Sequence, residues 1–87
     1  MPNPKRPKNL DPKRSFGILL RELRQKRGLS QEDFAHEMGY HRNYIGQLER
    51  GEKSPSLNAL FNFANGLGLR PSEMLSRVEQ MITDSKR

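Results

Sequence analysis

The stretch from Ser30 to Gly51, SQEDFAHEMGYHRNYIGQLERG, constrains this chain most, because its pattern admits two short helices joined at a glycine. Ser30 is suited to cap the first of them, its side-chain oxygen accepting the Asp33 backbone N–H while the Asp33 carboxylate answers, as in a short capping box. Phe34, Ala35 and Met38 recur at helical spacing, and Glu32, Asp33 and Glu37 fall on the wet side. Gly39 stops this helix, since a terminating residue at positive φ escapes a steric penalty only when it lacks a Cβ. A second helix restarts within about three residues. On it, Ile45 and Leu48 share one face, and Arg42, Asn43, Gln47 and Arg50 share the other.

Gln31, Ala35, Gly39, Ile45, Leu48, Glu49 and Gly51 at these spacings resemble the Cro/lambda-repressor-like (XRE) helix-turn-helix family. The segment HRNYIGQLERG is particularly similar to the controller proteins of restriction-modification systems, and the likeness runs from about Phe16 to Ile82. It implies an all-α, five-helix, lambda-repressor-like domain whose helices 2 and 3 form the helix-turn-helix. It also implies a regulator that binds double-stranded DNA, with Gly39 as the structural turn residue.

The bulk properties agree with one small domain. Eighty-seven residues leave no room for a second, and with no cysteine there is neither a disulfide framework nor a cysteine-based zinc site. Apolar runs fall far short of a membrane span, so a cytoplasmic protein without membrane contact is expected. The formal charge of +6 calls for an anionic partner. Residues 1–14 carry +4 of it and the remainder only +2, so a binding face in the folded part must come from segregated charges.

Residues 1–14 are expected to be a disordered basic arm, either lying along DNA or serving as a solvated leader. The folded domain is expected over 15–82, with 83–87 a frayed tail. Asp11 and Pro12 are a plausible cap and first helical position, although a start nearer Ser15 fits as well. Phe16, Leu19, Leu20 and Leu23 make the core stripe of the first helix, with Arg24 beside it. In chains this one resembles, an arginine here meets the glutamate near the end of the third helix. A largely buried Arg24–Glu49 pair is therefore expected to lock the first helix to the third.

Ser56 can cap a fourth helix with Leu57, Leu60, Phe61, Ala64 and Leu67 as its stripe, which leaves Phe63 outside it as a candidate interface anchor. Pro71 begins a fifth, on which Met74, Leu75, Val78, Met81 and Ile82 recur. That is more apolar surface than a terminal helix of so small a core needs. A two-fold homodimer through helices four and five is expected, with Phe63, Met74, Leu75, Val78 and Met81 at its interface.

Each base pair shows a distinct pattern of donors and acceptors in the major groove, and an α-helix fits there. The N-terminal residues of the inserted helix enter deepest. Arg42 suits guanine O6 and N7, Asn43 suits adenine N6 and N7, and Gln47 lies one turn on, so these three are the candidate base readers. Gln31 matches the family's phosphate-binding glutamine; Tyr44, Arg50, Lys53 and His41 are further phosphate candidates. A homodimer would then meet a palindromic operator with half-sites one helical turn apart.

No enzyme is expected. His36, Glu37 and His41 superficially resemble a zinc-protease motif, but the histidines stand five apart across the helix-breaking Gly39. No metal, cofactor or small-molecule site is evident. The rival reading is a protein-binding module on the same fold, such as an antitoxin or a coactivator.

Overall fold

In the computed structural model, residues 6–86 are described, and they form five helices: α1 (Pro12–Lys26), α2 (Gln31–Met38), α3 (Arg42–Glu49), α4 (Leu57–Gly66) and α5 (Pro71–Ser85). Local chemistry sets their starts. Asp11, Ser30 and Ser56 each accept a backbone N–H three residues on, at 2.8, 3.0 and 3.0 Å. For α2 this is the only half of the capping box among the described residues. Arg70 contributes no side-chain cap to α5; instead Glu73 reaches back to accept the Arg70 backbone N–H at 3.0 Å.

Phe16, Leu19 and Leu20 of α1, Phe34 and Ala35 of α2, and Ile45 and Leu48 of α3 point into one core, as their periodicity requires. Gly17 has a role that periodicity does not reveal. A Cβ at this position would collide with the Leu48 carbonyl oxygen and lie 2.9 Å from that of Glu49, so α1 can approach the end of α3 only over a bare backbone.

The terminal boundaries need correction. Helix α1 already begins at Pro12, and the buried Leu10 packs ahead of it, so the described part of the arm expected over 1–14 is ordered. Asn9 and Leu10 donate their backbone N–H groups to the Ser85 carbonyl and hydroxyl at 3.0 and 2.9 Å, and Arg6 grips Glu22 at 2.7 Å. The same bonds overturn the frayed tail, because α5 runs to Ser85 and Ser85 is the anchor. One buried apolar residue, an ion pair and two paired backbone groups hold residues 6–11, a stretch that composition alone reads as unstructured. The expectations for residues 1–5 and for Arg87 lie outside the described residues.

A second correction concerns α4, which is turned by about one residue from the expected stripe. Phe63 is fully buried and forms the centre of an aromatic cluster, its ring centroid 5.9 Å from Phe34, 6.2 Å from Phe16 and 5.1 Å from Tyr40. Leu57 and Phe61, expected inside, are 71% and 52% exposed. On α5, Met74, Val78 and Met81 are buried in the protomer's own core and offer no surface to a partner, whereas Leu75 is 50% exposed. The outward apolar surface thus consists of Leu57, Phe61 and Leu75 rather than Phe63, Met74, Val78 and Met81. Between these helices and α1 runs a shallow apolar groove lined by Pro12, Phe16, Pro55, Leu57 and Leu75 among others.

Candidate nucleic-acid interface

The turn between α2 and α3 is built by Gly39 at φ +79°, the left-handed region. Its N–H and that of Tyr40 close back onto the carbonyls of His36 and Ala35, at 3.3 and 2.9 Å. Tyr40 then folds under the turn, its ring 5.1 Å from Phe63 and 5.3 Å from Tyr44, with its hydroxyl accepting from Asn62 Nδ2 at 2.9 Å. His41 holds the cap position of α3 with extended backbone, but its side chain makes no cap hydrogen bond and is exposed.

Helix α3 is anchored from below by the fully buried Ile45 and Leu48. That anchoring fixes which face is left. Arg42 and Asn43 are exposed and Gln47 half-buried, and among the described residues no side-chain hydrogen bond engages any of the three. All three candidate base readers thus keep exposed surface on α3, with Gln47 one turn beyond Asn43. Arg50 is exposed at the end of the helix, and Lys53 in the following loop. Tyr44 is half-buried against Tyr40 and presents only an edge.

The C-terminal end of α3 is fastened by the expected ion pair. Arg24 Nε and Nη2 donate to Glu49 Oε2 and Oε1 at 2.7 and 2.9 Å, a bidentate pairing in which the two side chains are 10% and 3% exposed. The third nitrogen, Nη1, donates to the Leu29 carbonyl at 2.8 Å. The Glu49 hydrogen bond is the main cause that raises the Arg24 pKa, with burial acting against it. Gln31 joins this network, its Nε2 donating to Glu49 Oε1 at 3.1 Å. The glutamine singled out for phosphate is thus also a tether between the start of α2 and the end of α3, with one amide hydrogen and its oxygen to spare.

Glu52 has no place in the sequence reading. It receives the guanidinium of Arg50, Nε at 2.5 Å and Nη2 at 3.4 Å, and the Arg50 hydrogen bond holds its carboxyl below the usual range. The spacing of two residues across the end of a helix gives no periodic signal, so only coordinates could have found it.

Comparison with known proteins places this geometry. A family model described as Helix-turn-helix matches residues 20–74. The control protein C.MunI of Mycoplasma sp is 39% identical over 71 residues, covering 80% of this chain and 96% of that protein. The control protein C.BamHI of Bacillus amyloliquefaciens is 38% identical over 61 residues, with 69% and 75% covered. Among solved structures, the restriction-modification controller protein C.AhdI from Aeromonas hydrophila superposes with a TM-score of 0.65 at 43% identity, over 70% of this chain and 92% of that one. The clp gene regulator ClgR from Corynebacterium glutamicum superposes with a TM-score of 0.78 at 23% identity, over 86% and 80%, a likeness of fold.

Proposed function

From the premise that this chain belongs to the helix-turn-helix family, among whose members it is similar to HTH-type transcriptional regulators and restriction-modification control proteins, we propose that it is a sequence-specific, double-stranded-DNA-binding regulator of the controller type. No catalytic family is indicated by these relatives. Helix α3 enters the major groove of a palindromic operator, and the protein acts as a homodimer in the cytoplasm.

The observation that carries this reading is that Arg42, Asn43 and Gln47 keep exposed, unpartnered polar groups among the described residues on a helix anchored by the fully buried Ile45 and Leu48. These side chains are rigidly based and unspent, which is the condition for reading base edges. Arg42 takes a guanine and Asn43 an adenine, while Gln31, Tyr44, His41, Arg50 and Lys53 hold phosphates and set the register. The helix N-terminus at Gln31 adds free backbone N–H groups at the same edge.

Leu57, Phe61 and Leu75 favour a second copy of the chain over a monomer, since they form an exposed apolar face beside a groove on helices away from α3. Two-fold pairing there leaves both recognition helices free, roughly 34 Å apart on successive turns of the duplex.

Selection of bound duplexes from a random pool, followed by native mass of the complex, tests the reading. The expected outcome is one palindrome carrying two protomers, with affinity falling steeply as salt rises. Recovery of no common sequence, together with co-purification of a native protein partner, would replace it by the antitoxin or coactivator alternative.

A further inference from the structure

Three residues at the end of α3 form a unit that the assignment above leaves unexplained. Arg50 follows Asn43 by seven residues, which at 100° per residue brings it within about 20° of the same line and about 10 Å further along the helix. It therefore lies on nearly the same line as Asn43, further along the helix. A guanidinium has two bidentate edges, one at Nε with a neighbouring terminal nitrogen and one between the two terminal nitrogens. Glu52 occupies the first, at 2.5 Å to Nε and 3.4 Å to Nη2. The terminal edge makes no hydrogen bond among the described residues, and its Nη1 lies over Gly46, where an added Cβ would come within 2.8 Å.

We infer that Glu52 is a positioning residue for DNA recognition: it grips one edge of Arg50 so that the other lies along the outward face of α3, ready for a planar pair of DNA acceptors. Guanine O6 with N7, or two oxygens of one phosphate, present that pair. Gly46 completes the unit, because a Cβ there would meet Arg50 Nη1 at 2.8 Å and push the guanidinium from where it rests. This inference rests on the reading of α3 as the helix that meets DNA.

Stability cannot be the reason for the contact. Both partners are exposed, and such pairs contribute little to folding. What the pair supplies is orientation, since an arginine held in its binding rotamer loses less freedom on association. A negative charge beside phosphates would otherwise only weaken binding. The two roles therefore predict opposite signs when the Glu52 charge is removed.

The test is a double-mutant cycle, read by fluorescence anisotropy over a range of salt on the duplex recovered by selection and on variants of it, with thermal melting of each protein variant to confirm folding. Glu52→Gln is expected to weaken binding roughly 3- to 10-fold when Arg50 is present. In the Arg50→Ala background the same substitution is expected to leave binding unchanged or tighten it, because only the repulsive charge is then removed. Gly46→Ala, which suits a helix but displaces the guanidinium, is expected to weaken binding by a factor similar to that of Glu52→Gln. Loss confined to duplexes with one particular guanine identifies a base contact; equal loss on every duplex, with a salt slope smaller by about one, identifies a phosphate. Tighter or unchanged binding by Glu52→Gln beside a wild type that binds would overturn the role of Glu52 alone. A wild type that selects no duplex would overturn the DNA reading and this inference with it.

Discussion

Helices α3 and α4 have similar lengths and both carry apolar residues at three- and four-residue intervals, yet only one could be oriented from its sequence. On α3 the residues away from Ile45 and Leu48 are Asn43, Gln47 and Arg50, with the exposed Arg42 at the helix start, so a single face can be buried. On α4, Leu57, Ala59, Leu60, Phe61, Phe63 and Ala64 leave no polar side wide enough to exclude an alternative. Two stripes at helical spacing overlap there. Which of them turns inward is decided by Phe16, Phe34 and Tyr40, whose rings wait at the position that only Phe63 can fill. Periodicity locates a buried face when the rest of the helix is polar, and merely counts candidates when it is not.

The sharpest way to break this comparison is to truncate the two phenylalanines of α4 in parallel. Phe63→Ala is expected to cost about 3 to 5 kcal/mol of folding stability through the cavity it opens. Phe61→Ala should cost less than about 1 kcal/mol in the protomer and act instead on self-association, raising the dimer dissociation constant in sedimentation. Equal shifts in the urea midpoint for the two variants would mean that α4 is turned the other way.

The anchoring of α3 can be probed next. Glu49→Ala leaves Arg24 buried without its carboxylate and deprives Gln31 of its acceptor, so a loss of about 3 kcal/mol is expected in urea denaturation. Because the substitution unties the end of α3 rather than its outward strip, DNA affinity should fall only as far as the folded population does.

Smaller effects separate the roles along the outward face. Arg42→Ala should lower affinity for the selected duplex by about 1 to 3 kcal/mol and leave nonspecific DNA nearly unaffected, as measured by anisotropy on both. Lys53→Ala should instead weaken all duplexes alike and reduce the salt slope by about one. The smallest effect belongs to Ser15, which is fully buried and whose hydroxyl finds no partner among the described residues. Ser15→Ala is expected to be neutral or to raise stability by up to about 1 kcal/mol, read as a small rise in Tm.

The frame of α2 and α3 was more legible than the ends of the chain. The glycine stop at Gly39 could be read from residue type and spacing, and the Arg24–Glu49 pair from a family resemblance whose geometric counterpart is the bidentate contact. Three features were out of reach. Glu52 lies beyond the helix and meets Arg50 through the bend of the loop; Gly17 matters because the backbone of another helix passes over it; Asn9 and Leu10 are held by Ser85, 75 residues beyond Leu10. Each depends on a neighbour that no local pattern can name.

The sequence by itself determined the five helical segments, the caps at Ser30 and Ser56, the stop at Gly39 and the burial of Ile45 and Leu48 on α3. These follow from interactions within one or two helical turns, where residue type and spacing suffice. Only the tertiary structure decided which face of α4 is inside, which apolar residues remain exposed, and how Asn9 and Leu10 fasten to Ser85. Those outcomes are set by contacts between segments distant in sequence, whose geometry exists only once the core has closed.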